Sequence, residues 1–273
     1  MPDVLDTDPP ADLPARHAVE RLRAVRLAAS AKPFLARGSG GVRCERCRLV
    51  ASHCMCSLRP AVDVRAGVCL IMGDIEALKP SNTGWLVADL VSDTFAFGWA
   101  RTSVDPGLLA VLSDLQWQPY LVFPGEFADP RRVVTEVRPG PLAAVAGAGQ
   151  KRPLFVLLDG TWSEARKMFR KSPYLDGLPV LSLNPGLVSN YRLRRSIRDD
   201  HFCTSEVAAL CLALAGESHA AEVLAAYLDV FTAHYLSAKR NWPLALQSQA
   251  HQRLAGLMAG AECVPLATSI SGP

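Results

Sequence analysis

Four short apolar runs constrain this chain most: VCLIM at 68–72, YLVF at 120–123, LFVLL at 154–158 and PVLSL at 179–183. Continuous apolarity over four or five residues is the pattern of strands buried on both faces, as in parallel sheets covered by helices. Segments of helical character lie between and after them. SNTGWLVADLV at 81–91 is one, with Ser81 or Asn82 as its cap. TWSEARKMFRKS at 161–172 is the clearest, and the Ala/Leu-rich stretch from Ser205 to about Lys239 reads as two long helices parted near Gly216. The expectation is an α/β fold beginning at about Ala61.

The length of 273 residues allows one large domain or two modest ones, at roughly 150 residues per domain. With 49% hydrophobic and 20% charged residues, the composition is that of an ordinary soluble globular protein. The longest unbroken apolar run, Val207 to Ala215, is half of the roughly 18 residues a membrane span needs. Residues 1–15 carry Asp3, Asp6, Asp8, Asp12 and four prolines, which predicts a disordered acidic tail and no secretory signal. The cytoplasm is then the expected compartment. Arg21, Arg23, Arg26 and Lys32 follow in a helix-compatible stretch, and Gly38-Ser39-Gly40-Gly41 breaks it. The small-residue stretch 140–150 reads as a loop. The expected divisions are 1–38, a cysteine module at 39–60, a main domain at 61–240 and an extension at 241–273. The motifs GxGxxG, GxxxxGK[ST], HExxH and GxSxG are absent. Dinucleotide oxidoreductases, P-loop ATPases, zincins and α/β-hydrolases lose ground accordingly.

Eight cysteines are too dilute for a disulfide scaffold. Four of them, Cys44, Cys47, Cys54 and Cys56, fall within thirteen residues as CxxC and CxC. Two close pairs supply the four thiolates of a tetrahedral zinc site and leave no open coordination position, so the expected metal is structural. Cys69 and Cys211 sit in apolar runs and read as core.

LFVLLD-GTW-SEARKMF at 154–169 carries the most chemistry. A buried strand ends at Asp159, Gly160 permits a sharp turn and Thr161 opens a helix, with Glu164 completing a capping box. In open α/β sheets ligands bind beyond the carboxyl ends of strands, where this turn falls. From Asp159 to Arg198 there are eight basic and three acidic residues, a local charge of +5 against +3 for the whole chain. A charge run is more often a solvated face than a nucleic-acid site; beside this turn, phosphate binding becomes the better reading.

Asp159-Gly160-Thr161-Trp162 resembles the D-x-T-W signature of the DTW-domain proteins, the tRNA-uridine aminocarboxypropyltransferases. The cysteine cluster at 44–56 is similar to that family's N-terminal zinc motif. The blocks at 78–102, 118–127, 158–179, 191–195 (YRLRR) and 203–208 (CTSEVA) follow in the same order. The resemblance covers roughly residues 40–240 and favours the bacterial branch. It departs at Gly73-Asp74-Ile75-Glu76, which keeps only the Glu of the His-Pro-x-Glu found in many relatives.

The resemblance implies a SPOUT-like parallel sheet with a C-terminal knot. It implies transfer of the 3-amino-3-carboxypropyl group of S-adenosylmethionine to the imide nitrogen of a tRNA uridine, with methylthioadenosine as by-product. Asp159, Thr161 and Trp162 are the implied catalytic residues. Because a helix N-terminus lowers a carboxylate pKa, Asp159 is favoured as an orienting group at least as strongly as a base. Asn82, Thr83, Gly84, Pro124, Gly125 and Gly160 are the expected cofactor contacts, the glycines by permitting close backbone approach. Arg166, Lys167, Arg170, Lys171, Arg192, Arg194 and Arg195 are the expected RNA contacts. Arg43, Arg46, Arg48 and Arg59 around the cysteines are a further possible grip on tRNA. The expected partners are tRNA and S-adenosylmethionine, with no membrane and no DNA. Two rivals remain at this stage: a SPOUT-type RNA methyltransferase and a zinc-knuckle RNA-binding protein without catalysis.

Overall fold

The computed structural model describes residues 17–32, 34, 41–138, 150–183 and 202–261. Its centre is a six-stranded sheet, all parallel: β1 Gly67–Met72, β2 Thr94–Gly98, β3 Trp117–Val122, β4 Val133–Val134, β5 Arg152–Asp159 and β6 Val180–Leu181, in the order β2-β1-β5-β3-β6-β4. The four apolar runs fall on or overlap β1, β3, β5 and β6. β2 and β4 lie at the two edges and were not among the predicted strands.

Seven helices are described: α1 Ala18–Ala28, α2 Gly84–Leu90, α3 Pro106–Ser113, α4 Trp162–Arg170, α5 Thr204–Leu214, α6 Ser218–Arg240 and α7 Gln249–Ala261. The parting of α5 from α6 at Gly216 follows the sequence reading, and its φ of +82° explains the glycine. α2 is capped differently from expectation. Its N-cap is Thr83, whose side chain makes no capping bond, while the Asn82 carboxamide oxygen accepts from the Gly84 N–H at 3.0 Å.

Strand side chains alternate between two separate cores. Val68, Leu70 and Met72 of β1 join Phe155 and Leu157 of β5 against α2, α5 and α6. Cys69 and Ile71 join Leu154 and Val156 against α3 and α4. The sheet is therefore the middle of three layers, which is why its strands read as unbroken apolar runs. Among the described residues no helix is long and apolar enough to cross a membrane.

Candidate active site and cysteine knuckle

The central strands create the crevice. β1 runs through α2 to β2 on one side of the sheet, whereas β5 runs through α4 to β6 on the other. The crossovers leave neighbouring strands in opposite directions and place α2 and α4 on opposite faces. Such a switch point opens a cleft at the carboxyl ends of the strands. Met72 and Asp159 are register partners there, and the Gly73 N–H donates to the Asp159 carbonyl at 2.8 Å.

Asp159 shares the pleat face of Phe155 and Leu157, so its carboxylate points to the α2 and α5 side. Asn82 Nδ2 donates to Oδ2 at 2.8 Å, and Thr204 Oγ1, from the first residue of α5, donates to Oδ1 at 2.7 Å. The residue is 4% exposed. Burial pushes its carboxyl above the usual carboxylate range, against the Asn82 and Thr204 bonds; Glu76 adds to the rise and Lys79 opposes it. The expectation of a pKa lowered by the α4 N-terminus is thus corrected. That terminus is occupied by its own capping box: Thr161 N–H donates to Glu164 Oε2 at 2.8 Å, and Glu164 N–H to Thr161 Oγ1 at 3.4 Å.

Asn82, Thr83, Gly84 and Gly160 converge on Asp159. Thr83 Oγ1 accepts from the Ser205 N–H at 3.2 Å, joining α5 to the same cluster. Pro124 and Gly125 follow β3, next to β5, and the Gly125 N–H donates to Ser182 Oγ at 3.0 Å. The glycines answer to protein atoms. A Cβ on Gly84 would stand 2.8 Å from Asp159 Oδ2, one on Gly125 3.0 Å from Val133, and one on Gly160 3.1 Å from the Glu164 Cβ. The close approach they permit in this structure is therefore of side chains.

Trp162 is 42% exposed. Phe123 stacks on it with ring centroids 5.5 Å apart and on Phe169 at 4.4 Å, both pairs nearly parallel. Arg166, Lys167, Arg170 and Lys171 are exposed on α4 and the residue after it. Arg166 lies over the Phe127 ring and Lys167 over Trp99. Arg192, Arg194 and Arg195 lie outside the described residues.

The four cysteines meet as expected. Cys44 and Cys56 sulfurs are 3.7 Å apart, Cys47 and Cys54 3.7 Å, and Cys44 and Cys54 3.6 Å, with all four within 4.8 Å. Ligands about 2.3 Å from a tetrahedral zinc stand about 3.8 Å from one another, so the set can hold that ion. Sulfur hydrogen bonding, from Cys56 above all, lowers the Cys47 thiol to about 5. The flanking arginines, anticipated as a grip on tRNA, are engaged with the protein itself. Arg48 is 3% exposed, bonds the Ala77 carbonyl at 2.8 Å and lies over the Trp85 ring. Arg59 pairs with Asp89 at 2.9 Å, Arg46 with Glu20 at 3.6 Å, and Arg43 bonds the Arg48 carbonyl at 3.0 Å. With Leu49 and Met55 in the core, they bind the knuckle to the body.

Thr204 was absent from the sequence-based candidates, as was Lys79. Thr204 sits inside the CTSEVA block, but nothing local in that block points to Asp159.

No solved structure matches the chain. The sequence profile of the DTW domain matches residues 41–236, which takes in the cysteine knuckle, the crevice and most of α6. On that match the chain belongs to the DTW domain family, the family of the tRNA-uridine aminocarboxypropyltransferases.

Proposed function

We propose that this protein transfers the 3-amino-3-carboxypropyl group of S-adenosylmethionine to the imide nitrogen of a tRNA uridine and releases methylthioadenosine. The observation that carries this is the place of the family motif. In a DTW-family chain, Asp159 ends the central strand at the switch-point crevice and is held there by two donors.

A sulfonium activates three carbons, so the pocket's shape selects which one is attacked. The methionine γ-carbon must face the uridine nitrogen in line, about 3–3.5 Å away. Asn82 and Thr83 contribute by holding Asp159 and α5, and Gly84, Gly160 and Pro124–Gly125 are the remaining candidates for contact with S-adenosylmethionine. Trp162 and Thr161 shape the wall, and the basic face of α4 with Arg192, Arg194 and Arg195 takes tRNA phosphates. Zinc in the knuckle is structural, since four thiolates fill its coordination. The reading includes the SPOUT class with its knot, the bacterial branch and a cytoplasmic setting. The all-parallel sheet supports the SPOUT class, although residues 184–201, which link β6 to α5, are outside the described residues.

One assay tests the reaction. The purified protein is incubated with unmodified tRNA and S-adenosylmethionine, and nucleosides and small products are analysed by mass spectrometry. Methylthioadenosine with an aminocarboxypropyl-sized gain on uridine is expected. S-adenosylhomocysteine with a methyl-sized gain overturns the reading in favour of a methyltransferase, and tRNA binding without either product leaves a binding protein.

A further inference from the structure

Asp159 is central to the proposed reaction, yet its carboxylate is almost wholly buried. Oδ2 receives the Asn82 amide; Oδ1 receives the Thr204 hydroxyl. At 4% exposure the carboxylate is shielded by the side chains that hold it.

The two donors differ in what they can pass on. The Asn82 nitrogen only donates, and the oxygen of its carboxamide is taken by the Gly84 N–H. Protonating Oδ2 would set an acid proton against an amide proton. A hydroxyl both donates and accepts, so Oδ1 can take a proton from Thr204 while Thr204 takes another from outside. Thr204 is also only partly buried, whereas Asp159 and Asn82 are buried. Its position is fixed by the start of α5, where Glu206 accepts the Cys203 N–H at 2.7 Å.

Resting on the transferase reading, we propose that Asp159 acts through Thr204, whose hydroxyl is the outward member of a two-residue proton relay. The uridine nitrogen forms its bond to the γ-carbon as the carbon–sulfur bond breaks, and that electron pair stays on the sulfur of methylthioadenosine. The imide proton passes to Thr204 Oγ1 as the Thr204 proton passes to Asp159 Oδ1. One proton is released per transfer, and Asp159 holds it until it leaves to solvent.

The charges around Asp159 suit an acceptor. Glu76, from the β1–α2 connection, raises its proton affinity; Lys79 from the same connection and Arg48 from the knuckle loop lower it. Burial outweighs them and raises it, which makes the carboxylate a better acceptor than an exposed one.

Two measurements test the relay. In Thr204→Val, single-turnover transfer is expected to fall about 10²- to 10⁴-fold with tRNA affinity retained. In the same variant, without ligand, the ¹³C-carboxyl resonance of Asp159 titrates at higher pH, because a donor to the charged form is lost. Thr204→Ser restores both. The second measurement needs no variant: a proton inventory of wild-type transfer in H2O/D2O mixtures bows downward when two protons move together. A linear inventory, or Thr204→Val within threefold of wild type, overturns the relay alone. Absence of methylthioadenosine from the wild-type reaction overturns the transferase reading, and the relay with it.

Discussion

Asn82 holds Asp159 with one end of its carboxamide and the first turn of α2 with the other, Nδ2 to the carboxylate at 2.8 Å and Oδ1 to the Gly84 N–H at 3.0 Å. Its replacement strands two buried groups at once. Asn82→Ala is expected to cost about 1–3 kcal/mol of stability, the range for leaving a buried polar partner unpaired. Urea unfolding checks it, and a loss under 0.5 kcal/mol contradicts the clamp.

Gly84→Ala is expected to damage the same cluster by crowding. The added Cβ would stand 2.8 Å from Asp159 Oδ2 and 3.3 Å from a Leu70 methyl, and both neighbours are fixed. Overpacking of this kind costs about 1–3 kcal/mol, and transfer activity should fall with it. Gly177→Ala is the matched control: nothing lies within 4 Å of its Cβ position, so a change within about 0.5 kcal/mol is expected.

Metal content provides a third test. One zinc per chain is expected by elemental analysis, lost in Cys47→Ser. Because Cys47, Leu49 and Met55 pack in the core with Trp85 and Tyr227, a chelator should lower the melting temperature of the whole protein. An unchanged melting curve after complete metal removal would show the knuckle to be independent of the body.

His17 gives stability a defined pH dependence. Its Nδ1 caps α1 by accepting from the Glu20 N–H at 3.2 Å. Burial, then Arg59, Arg48, Arg46 and Arg21, lower its pKa from 6.5 to about 3. These outweigh Glu20 and Asp89, whose oxygens lie 3.8 Å and 3.7 Å from Nε2, so the contacts are not ion pairs at neutral pH. The unfolded chain binds this proton first, so the His17 contribution falls as pH drops below 6.5 towards 3. Asp89 works the other way. Burial raises its carboxyl from 3.8 to about 6, so its contribution grows as pH falls through that window. His17→Asn keeps a capping side chain and removes the titration. Between pH 6.5 and 5 the variant should lose less stability than wild type; equal losses in urea unfolding would refute the assignment.

Replacing Arg166, Lys167, Arg170 and Lys171 together by Ala tests the RNA face. None of the four has an acidic ion-pair partner among the described residues, so no internal ion pair is broken. Each lost phosphate contact should make the dependence of log K on log salt shallower by about 0.7–0.9. Filter binding of tRNA at several salt concentrations measures it, and an unchanged slope removes α4 from the interface.

Sequence legibility followed burial. β1, β3 and β5 lie inside the sheet with both faces covered, so apolar runs exposed them. β2 is an edge strand whose Phe95 and Phe97 face one core while Ala96 faces the other, and β4 has two residues; neither makes a continuous run. The cysteine cluster was legible because its ligands are neighbours in sequence. Asp159 was legible as a strand end, but not in its direction: pleat parity has meaning only once each face has its helices. Its meeting with Thr204 across 45 positions required the fold. The partners of the knuckle arginines were not legible, because a basic residue carries no local mark of whether an Asp or a carbonyl waits beneath it.

The placement of β5 between β1 and β3 also dictates an order of assembly. A chain emerging from the ribosome can pair β1 with β2, but β3 has no neighbour yet made. Two strand spacings, about 9.5 Å, must separate β1 from β3 until residues 152–159 arrive to fill the slot. The joining of β1 to β3 and the delivery of Asp159 to the crevice therefore depend on the same strand, with β6 still to follow and bring in β4. A nascent chain truncated before β5 is a broken sheet with unsatisfied edges, and holds no part of the Asp159 clamp except the Asn82 side.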